Sequence, residues 1–194
     1  SDQVAALTTE QVVGLGTEQV KALTITQVGK LTTEQVSVLE TRDVAVLSSE
    51  QLRGLSTEQV VALGSERVSA ITVQALVGFG TDAIVALESD QVRALTTDQL
   101  NTLSSDNVRA IETGDLRALR TENLSQLKTQ SVAALSSDQV AALTTEQVVG
   151  LGTEQVKALT ITQVGKLTTE QVSVLETRDV AVLSSEQLRA LSTE

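Results

Sequence analysis

Apolar residues occupy two fixed positions in every eight residues of this chain. One series begins at Val4 and accepts only Leu or Ile in place of Val, and the other begins at Leu7 and departs from Leu only at Ile71, Phe79 and Ile111. Both positions are filled in all 24 octads, and no insertion or deletion interrupts the phase. Such a strict short period predicts a solenoid, in which each unit stacks on equivalent neighbours.

The remaining octad positions are also specialised. With octad positions numbered from Ser1, Val stands at position 4 and Leu at position 7, and position 1 is Ser or Thr except at Ile25, Val73 and Ile161. Position 3 is usually Gln, and position 6, just before the Leu, is usually Ala or Gly. These small residues would allow adjacent units to approach closely.

The spacing of the apolar residues favours short helices over the alternatives. Val12 and Leu15 are three residues apart, which places them on one face of a helix but on opposite faces of a strand. A continuous helix fails, because eight residues overshoot two turns by about 80° and the apolar stripe would wrap around it. A coiled coil fails for a related reason, since its repeats stay near 3.5–3.67 residues per turn. The sequence therefore predicts an all-α superhelix with one very short helix per octad and a thin Val/Leu/Ala core.

The same pattern predicts the core and the helix starts. We expect the apolar stripe to be buried, as represented by Val12, Leu15, Val20, Leu23, Val28, Leu31, Val92 and Leu95. The hydroxyl residue at position 1 is predicted to be the N-cap, followed by a first-turn carboxylate, at Thr9, Thr17, Thr33, Thr41, Ser49 and Thr57. Where position 8 is also Ser or Thr, as in Thr8-Thr9-Glu10-Gln11, a capping box from that residue is the alternative.

A longer repeat is superimposed on the octads. Residues 1–58 return as 137–194 with one change, Gly54 becoming Ala190, at an offset of 136 residues or 17 octads. Since the phase is kept throughout, residues 1–194 are interpreted as one continuous array. The near-identity indicates either a recent duplication of a long cassette or a chain made by joining segments.

Composition limits the chemistry that this chain can perform. It contains no His, Cys, Met, Trp or Tyr, so the usual general base, thiolate nucleophile and most zinc ligands are missing. We therefore expect no enzyme activity, no metal site and no cofactor. The formal net charge of -11, with basic residues scattered singly, argues against nucleic acid. Neither a signal peptide nor an apolar run of 18 residues is present, so we expect no membrane insertion by this segment.

Two features stand out as candidate interaction sites. The Gln row, including Gln11, Gln19, Gln27 and Gln35, is interpreted as a hydrogen-bonded ladder between units, with a row of ligand-binding groups as the alternative. The central octads are less regular: Ala75 and Ala83 replace Gln, and Phe79 replaces Leu between two glycines. Phe79 is a weak candidate for partner binding, although its register favours the core.

The phrases ALTTEQV, LETRDVAVLSSEQL and ALSSDQVAALTTEQV resemble the T-x-x-Q-V-x-x-L arrays of very large repetitive proteobacterial proteins, described as adhesin-like or haem-utilisation/adhesion proteins. That resemblance covers the whole chain. It implies a secreted or cell-surface location, with any signal for export lying outside this segment.

Two functional hypotheses follow. The uniformity of the octads favours a structural spacer or stalk within a large surface protein, because a recognition surface normally varies from position to position. The alternative is a solenoid scaffold that binds a protein or a glycan through the variable octad position 5. The partner is then an unidentified protein or surface, and self-association of the chain is a further option.

Overall fold

The computed structural model describes residues 3–191 and contains one short helix in every octad after the first. No β-strand occurs in this part of the chain. The helices are α1 Thr9–Val13, α2 Thr17–Ala22, α3 Ile25–Val28, α4 Thr33–Val38, α5 Thr41–Val44, α6 Ser49–Arg53, α7 Thr57–Ala62, α8 Gly64–Ala70, α9 Val73–Leu76, α10 Thr81–Val85, α11 Ser89–Ala94, α12 Thr97–Leu100, α13 Ser105–Ala110, α14 Thr113–Leu116, α15 Thr121–Ser125, α16 Thr129–Ala134, α17 Ser137–Ala142, α18 Thr145–Gly150, α19 Thr153–Ala158, α20 Ile161–Val164, α21 Thr169–Ser173, α22 Thr177–Ala181 and α23 Ser185–Ala190.

Each helix except α8 begins one residue before the predicted position. The prediction that Thr9, Thr17, Thr33, Thr41, Ser49 and Thr57 are N-caps is wrong, since each of them is the first helical residue. The N-caps are the preceding residues at octad position 8, namely Thr8, Gly16, Thr32, Glu40, Ser48 and Ser56.

The position of the Gln residues explains this shift. With Thr8 as the N-cap, Gln11 stands at N3, where its side chain reaches back to the Thr8 amide while the Thr8 hydroxyl accepts from the Gln11 amide. This is the capping box that the Thr8-Thr9-Glu10-Gln11 spacing allowed. Had Thr9 been the cap, the apolar Val12 would stand at N3 and could not complete the box.

The bend between octads requires no unusual backbone conformation. The N-cap residue is extended, as at Thr8 with φ -74° and ψ 160°. The last hydrogen bond of each octad runs from the amide of the Leu at position 7 to the carbonyl of position 4. Among the described residues, Gly64 at φ 65° is the one with a left-handed conformation. The helical conformation of α7 extends through Leu63, and Gly64 separates it from the rest of α8. A residue with a side chain would be strained at the φ of Gly64.

The helices wind into a superhelix with between three and four octads per turn. Helices that pack against one another are three apart in the chain, beginning with α1 against α4 and ending with α20 against α23. Hydrogen bonds from side chains of one turn reach backbone carbonyls 28 and 31 residues earlier. One turn therefore takes about 28 residues, or three and a half octads.

The core is a continuous thin stripe along this superhelix. Val12, Val20, Val28, Val92, Leu31 and Leu95 are each at most 5% exposed, whereas Leu15 and Leu23 are half-buried. Leu15 and Leu23 lie in the first turn, so they are covered by the following turn alone. Burial of the Leu row thus depends on having a turn on each side, as a stacked architecture requires.

Close contact between turns depends on glycine at selected places. A Cβ atom on Gly78 would lie 2.0 Å from the Ser49 carbonyl oxygen, in the turn before, and one on Gly150 would lie 2.2 Å from Thr121 Cγ2. The small residue at octad position 6 therefore sets the distance between successive turns at Gly78 and Gly150. By contrast, nothing lies within 4 Å of a Cβ added to Gly114.

Replacing Gly78 with Ala should destabilise the solenoid by about 1–3 kcal/mol, because the new methyl group would force a backbone carbonyl away. The matched substitution Gly114→Ala, in an exposed helical position, should be neutral or stabilise by up to about 1 kcal/mol. Chemical denaturation followed by far-UV circular dichroism measures both. Equal stability of the two variants would contradict the close approach at Gly78.

Candidate functional site

The side chain at octad position 3 joins successive turns of the superhelix. Gln35 uses its two ends for separate tasks: Oε1 accepts from the Thr32 amide at 2.8 Å, and Nε2 donates to the carbonyls of Val4 and Leu7 at 3.0 and 2.7 Å. The first bond caps its own helix, and the other two hold the turn before. A carboxamide is suited to this double role because it carries an acceptor and two donors on one planar group.

The same arrangement recurs along the described chain. The cross-turn bond to the carbonyl 28 residues earlier is made by the following side chains: Gln35, Gln51, Gln59, Gln99, Gln139, Gln147, Gln155, Gln163, Gln171 and Gln187. These residues are at most 6% exposed. Gln11, Gln19 and Gln27 belong to the first turn and cap their own helices instead.

The ladder that the Gln row predicted is therefore present, but it joins turns rather than adjacent octads. Its bonds span 28 to 31 residues, so the sequence neighbours of each Gln are not its partners.

Shorter or charged residues at position 3 preserve part of this link. Asn107 and Asn123 donate to the carbonyls of Phe79 and Leu95 at 2.9 and 2.8 Å, and Arg67 donates through Nε to Leu39. Asp179 cannot donate as a carboxylate and instead accepts from the Thr153 hydroxyl at 2.9 Å. The link thus tolerates several polar side chains, each with its own geometry.

Asp43 is the exception among the polar residues at this position. It is fully buried, and neither carboxylate oxygen has a hydrogen-bond partner. Burial raises the pKa of Asp43, while the neighbouring Arg42 guanidinium, with Nε 4.0 Å from Oδ1, opposes that rise. Sequence reasoning missed this group, although the replacement of Gln by Asp in a donor row was a visible signal.

Residues that are too short to fill the space between turns leave grooves. We call a position-3 residue together with the segment of the previous turn that it faces a level. Among residues 3–191, grooves lie at four levels where position 3 is not Gln, with volumes of about 250 Å³ at Ala83, 170 Å³ at Asn107, 530 Å³ at Asp115 and 240 Å³ at Ser131. Two Leu residues in the interior of the array, Leu55 and Leu103, are half-buried, and they lie 28 residues before Ala83 and Ser131. At these two levels, loss of the Gln side chain leaves the Leu of the turn before partly exposed.

Phe79, the weak binding candidate, is 2% exposed and belongs to the core. Its ring occupies the Leu position, as the register favoured, so it presents no aromatic surface to a partner. The exposed apolar residues of these central octads are Val77 and Val85 at octad position 5, which are 57% and 48% exposed.

Acidic residues at octad position 2 act locally at the helix starts. The pKa values of Glu50, Glu58 and Glu170 lie below the usual range, first because their own backbone amides donate to them and then because of the hydroxyls of Ser48, Ser56 and Thr168. Among residues 3–191, no group of three or more acidic side chains is arranged to hold a metal ion. Within the same range, none of the helices combines the length and the apolarity needed to cross a bilayer.

Comparison with known proteins identifies a repeat family. A family model described as "ALTTAQ repeat" matches residues 1–33, 36–73, 68–105, 108–145 and 141–169. No curated protein sequence matches the chain.

The first prediction from this site concerns the donor end of the carboxamide. Gln139→Glu retains the acceptor for the Ser136 amide but removes the donor to Val108 and Ile111, placing a carboxylate against two carbonyls. We expect a loss of about 1–3 kcal/mol at pH 7, measured by chemical denaturation. The control is Gln11→Glu, which has no cross-turn bond to lose and should cost less than about 0.5 kcal/mol.

The second prediction concerns Asp43. Asp43→Asn supplies a donor at a level where the native carboxylate has no partner, so it should stabilise the protein by about 1–3 kcal/mol at pH 7. Because the folded-state pKa is raised, the penalty of the charged form is present at neutral pH and disappears as the pH falls through that pKa.

The stability difference between Asp43→Asn and the native chain should therefore shrink on acidification, in denaturation curves recorded between pH 7 and pH 3. Asp179→Asn, in the near-identical copy, should have a smaller effect because Thr153 already donates to that side chain. A gain from Asp43→Asn that is constant with pH would show that the charge of Asp43 is not its cause.

Proposed function

The chain belongs to the ALTTAQ repeat family, and from its uninterrupted stacking we propose that it serves as an elongated spacer within a larger protein. The observation that carries this proposal is that packed helices are three apart all along the described chain, from α1 to α23. Each turn touches the turns before and after it, so every added octad extends the array. Length is then proportional to octad number, which is the property a spacer needs.

The cross-turn bonds support a stiff spacer. Most turns are tied to the next by several carboxamide bonds in addition to the apolar stripe, and these bonds run along the superhelix. Stretching the array would break them one level at a time. We place the spacer in a secreted or surface-exposed bacterial protein, a placement that rests on the resemblance of the octads to adhesin-like arrays.

A scaffold that binds a protein or a glycan is the second candidate. It is favoured by Val77 and Val85, two exposed apolar side chains in consecutive octads beside the grooves at Asn107 and Asp115. Exposed Val residues also occur at position 5 of single octads, at Val13 and Val149, but there they do not stand in consecutive octads.

Small-angle X-ray scattering on the chain and on residues 1–136 tests the spacer. With turns stacked about 8–10 Å apart and about 28 residues per turn, the whole array should have a length on the order of 60 Å. Removing the second copy should shorten the maximum dimension in proportion to the residues removed, with unchanged helical dichroism per residue. A maximum dimension that does not scale with octad number would refute the spacer.

A further inference from the structure

The groove at Ala83 differs from a filled level by the absence of one carboxamide. Leu52 and Leu55 of the previous turn, together with Gly78, Gly80 and Ala83, line this space of about 250 Å³, which we call the Ala83 slot. Its volume is several times the roughly 30 Å³ that a water molecule occupies in the liquid. The slot is open to a group the size of a side chain.

The level of Gln155 shows what normally fills this space. Its N-cap is also a glycine, Gly152, whose amide donates to Gln155 Oε1 at 2.9 Å. Gln155 Nε2 donates to the carbonyls of Leu124 and Leu127 at 2.9 and 2.7 Å. This level is the filled counterpart of the Ala83 slot, with Gly80, Leu52 and Leu55 in the equivalent places.

The corresponding backbone groups of the Ala83 slot are left without those partners. Within residues 3–191, the Gly80 amide has no acceptor and the Leu55 carbonyl has no donor, while the Leu52 carbonyl accepts only from the nearby Gly54 and Leu55 amides of its own turn. One donor and two acceptors therefore face the slot, in the arrangement that binds a carboxamide at the filled levels. Since Gly80 is exposed and Leu55 is half-buried, a ligand at this place exchanges water for a partner of matching geometry.

Two other substituted levels each lack part of this arrangement. At Ala75 the turns come together, because Gly78 approaches Ser49, and Leu47 stays 4% exposed. At Ser131 the Lys128 amide, which corresponds to that of Gly80, already donates to Asn101 Oδ1 at 2.8 Å. The Ala83 slot combines an open volume with both kinds of unused backbone group.

We propose that the Ala83 slot binds a primary carboxamide, supplied by a glutamine side chain of a partner protein. The carboxamide oxygen accepts from the Gly80 amide, and its NH₂ group donates to the Leu55 and Leu52 carbonyls. A carboxylate could pair with Arg53, which also lines the slot, but it would place negative charge against two carbonyls and Asp82. An ammonium would leave the Gly80 amide unmatched. The chemistry of the slot thus selects a neutral group with an acceptor and two donors, and this binding is independent of the spacer role.

Titration of the ¹⁵N-labelled chain with propionamide, the side-chain analogue of glutamine, tests the proposal. We expect a saturable shift of the Gly80 amide resonance at millimolar ligand, and no shift with propionate or N,N-dimethylpropionamide. The matched variant Ala83→Gln fills the slot from within, so it should abolish the propionamide response and raise the midpoint of thermal unfolding.

Ala83→Leu provides a second blocked variant that carries no carboxamide, and circular dichroism checks that both variants remain helical. No saturable shift of Gly80 in the native chain, or an equal shift in both blocked variants, would overturn the proposal.

A third ligand distinguishes the source of the carboxamide. N-acetylglutamine N-methylamide presents the side chain as it occurs in a polypeptide and should shift the Gly80 resonance at least as readily as propionamide. Binding of propionamide without binding of this peptide analogue would overturn the assignment to a protein partner and leave a small amide as the ligand.

Discussion

The carboxamide at octad position 3 is the interaction on which this architecture depends. A helix of four to seven residues has no stability of its own in water, because nucleation costs more than so few hydrogen bonds return. In the filled octads the same Gln side chain caps its helix and bonds the turn before, so local and tertiary structure form together. This coupling makes each unit dependent on its neighbours, the physical basis of cooperative, nearest-neighbour folding in solenoids.

The buried amides also define the register between turns. Apolar contact between Val and Leu stripes is non-directional and would tolerate sliding of one turn over the next. A donor that must meet two particular carbonyls, 28 and 31 residues earlier, permits one alignment. The glycines at octad position 6 add a steric constraint, since Gly78 admits the Ser49 carbonyl where any side chain would exclude it.

Variation at octad position 3 makes individual levels differ in their hydrogen bonds and in the space between turns. A carboxamide closes the space between turns, Asp43 leaves an acceptor where a donor is needed, and Ala83 leaves a slot. Asp43 and Ala83 stand at the same octad position in different octads. The first is a buried carboxylate without a hydrogen-bond partner, and the second leaves an open volume between turns. The mixture of uniform and altered levels would allow one array to combine the proposed spacer with the proposed binding position.

The sequence by itself determined the class of fold. The three-residue separation of Val12 and Leu15 within a strict eight-residue period excludes strands and long helices, so one short helix per octad was predictable, as was most of the buried stripe. It also indicated a hydrogen-bonded Gln ladder and the core register of Phe79. These conclusions rest on local periodicity, which depends only on the geometry of the backbone.

The tertiary structure determined which residues of successive turns contact one another. The eight-residue period does not state how many octads complete a turn, because that number depends on the small rotation between successive helices, summed over several units. Hence the partners of Gln35, the half-burial of Leu15, the orphaned carboxylate of Asp43 and the slot at Ala83 all required the superhelix. The cap at Thr8 rather than Thr9 is by contrast a local effect, since Gln11 at N3 completes the capping box without any cross-turn bond.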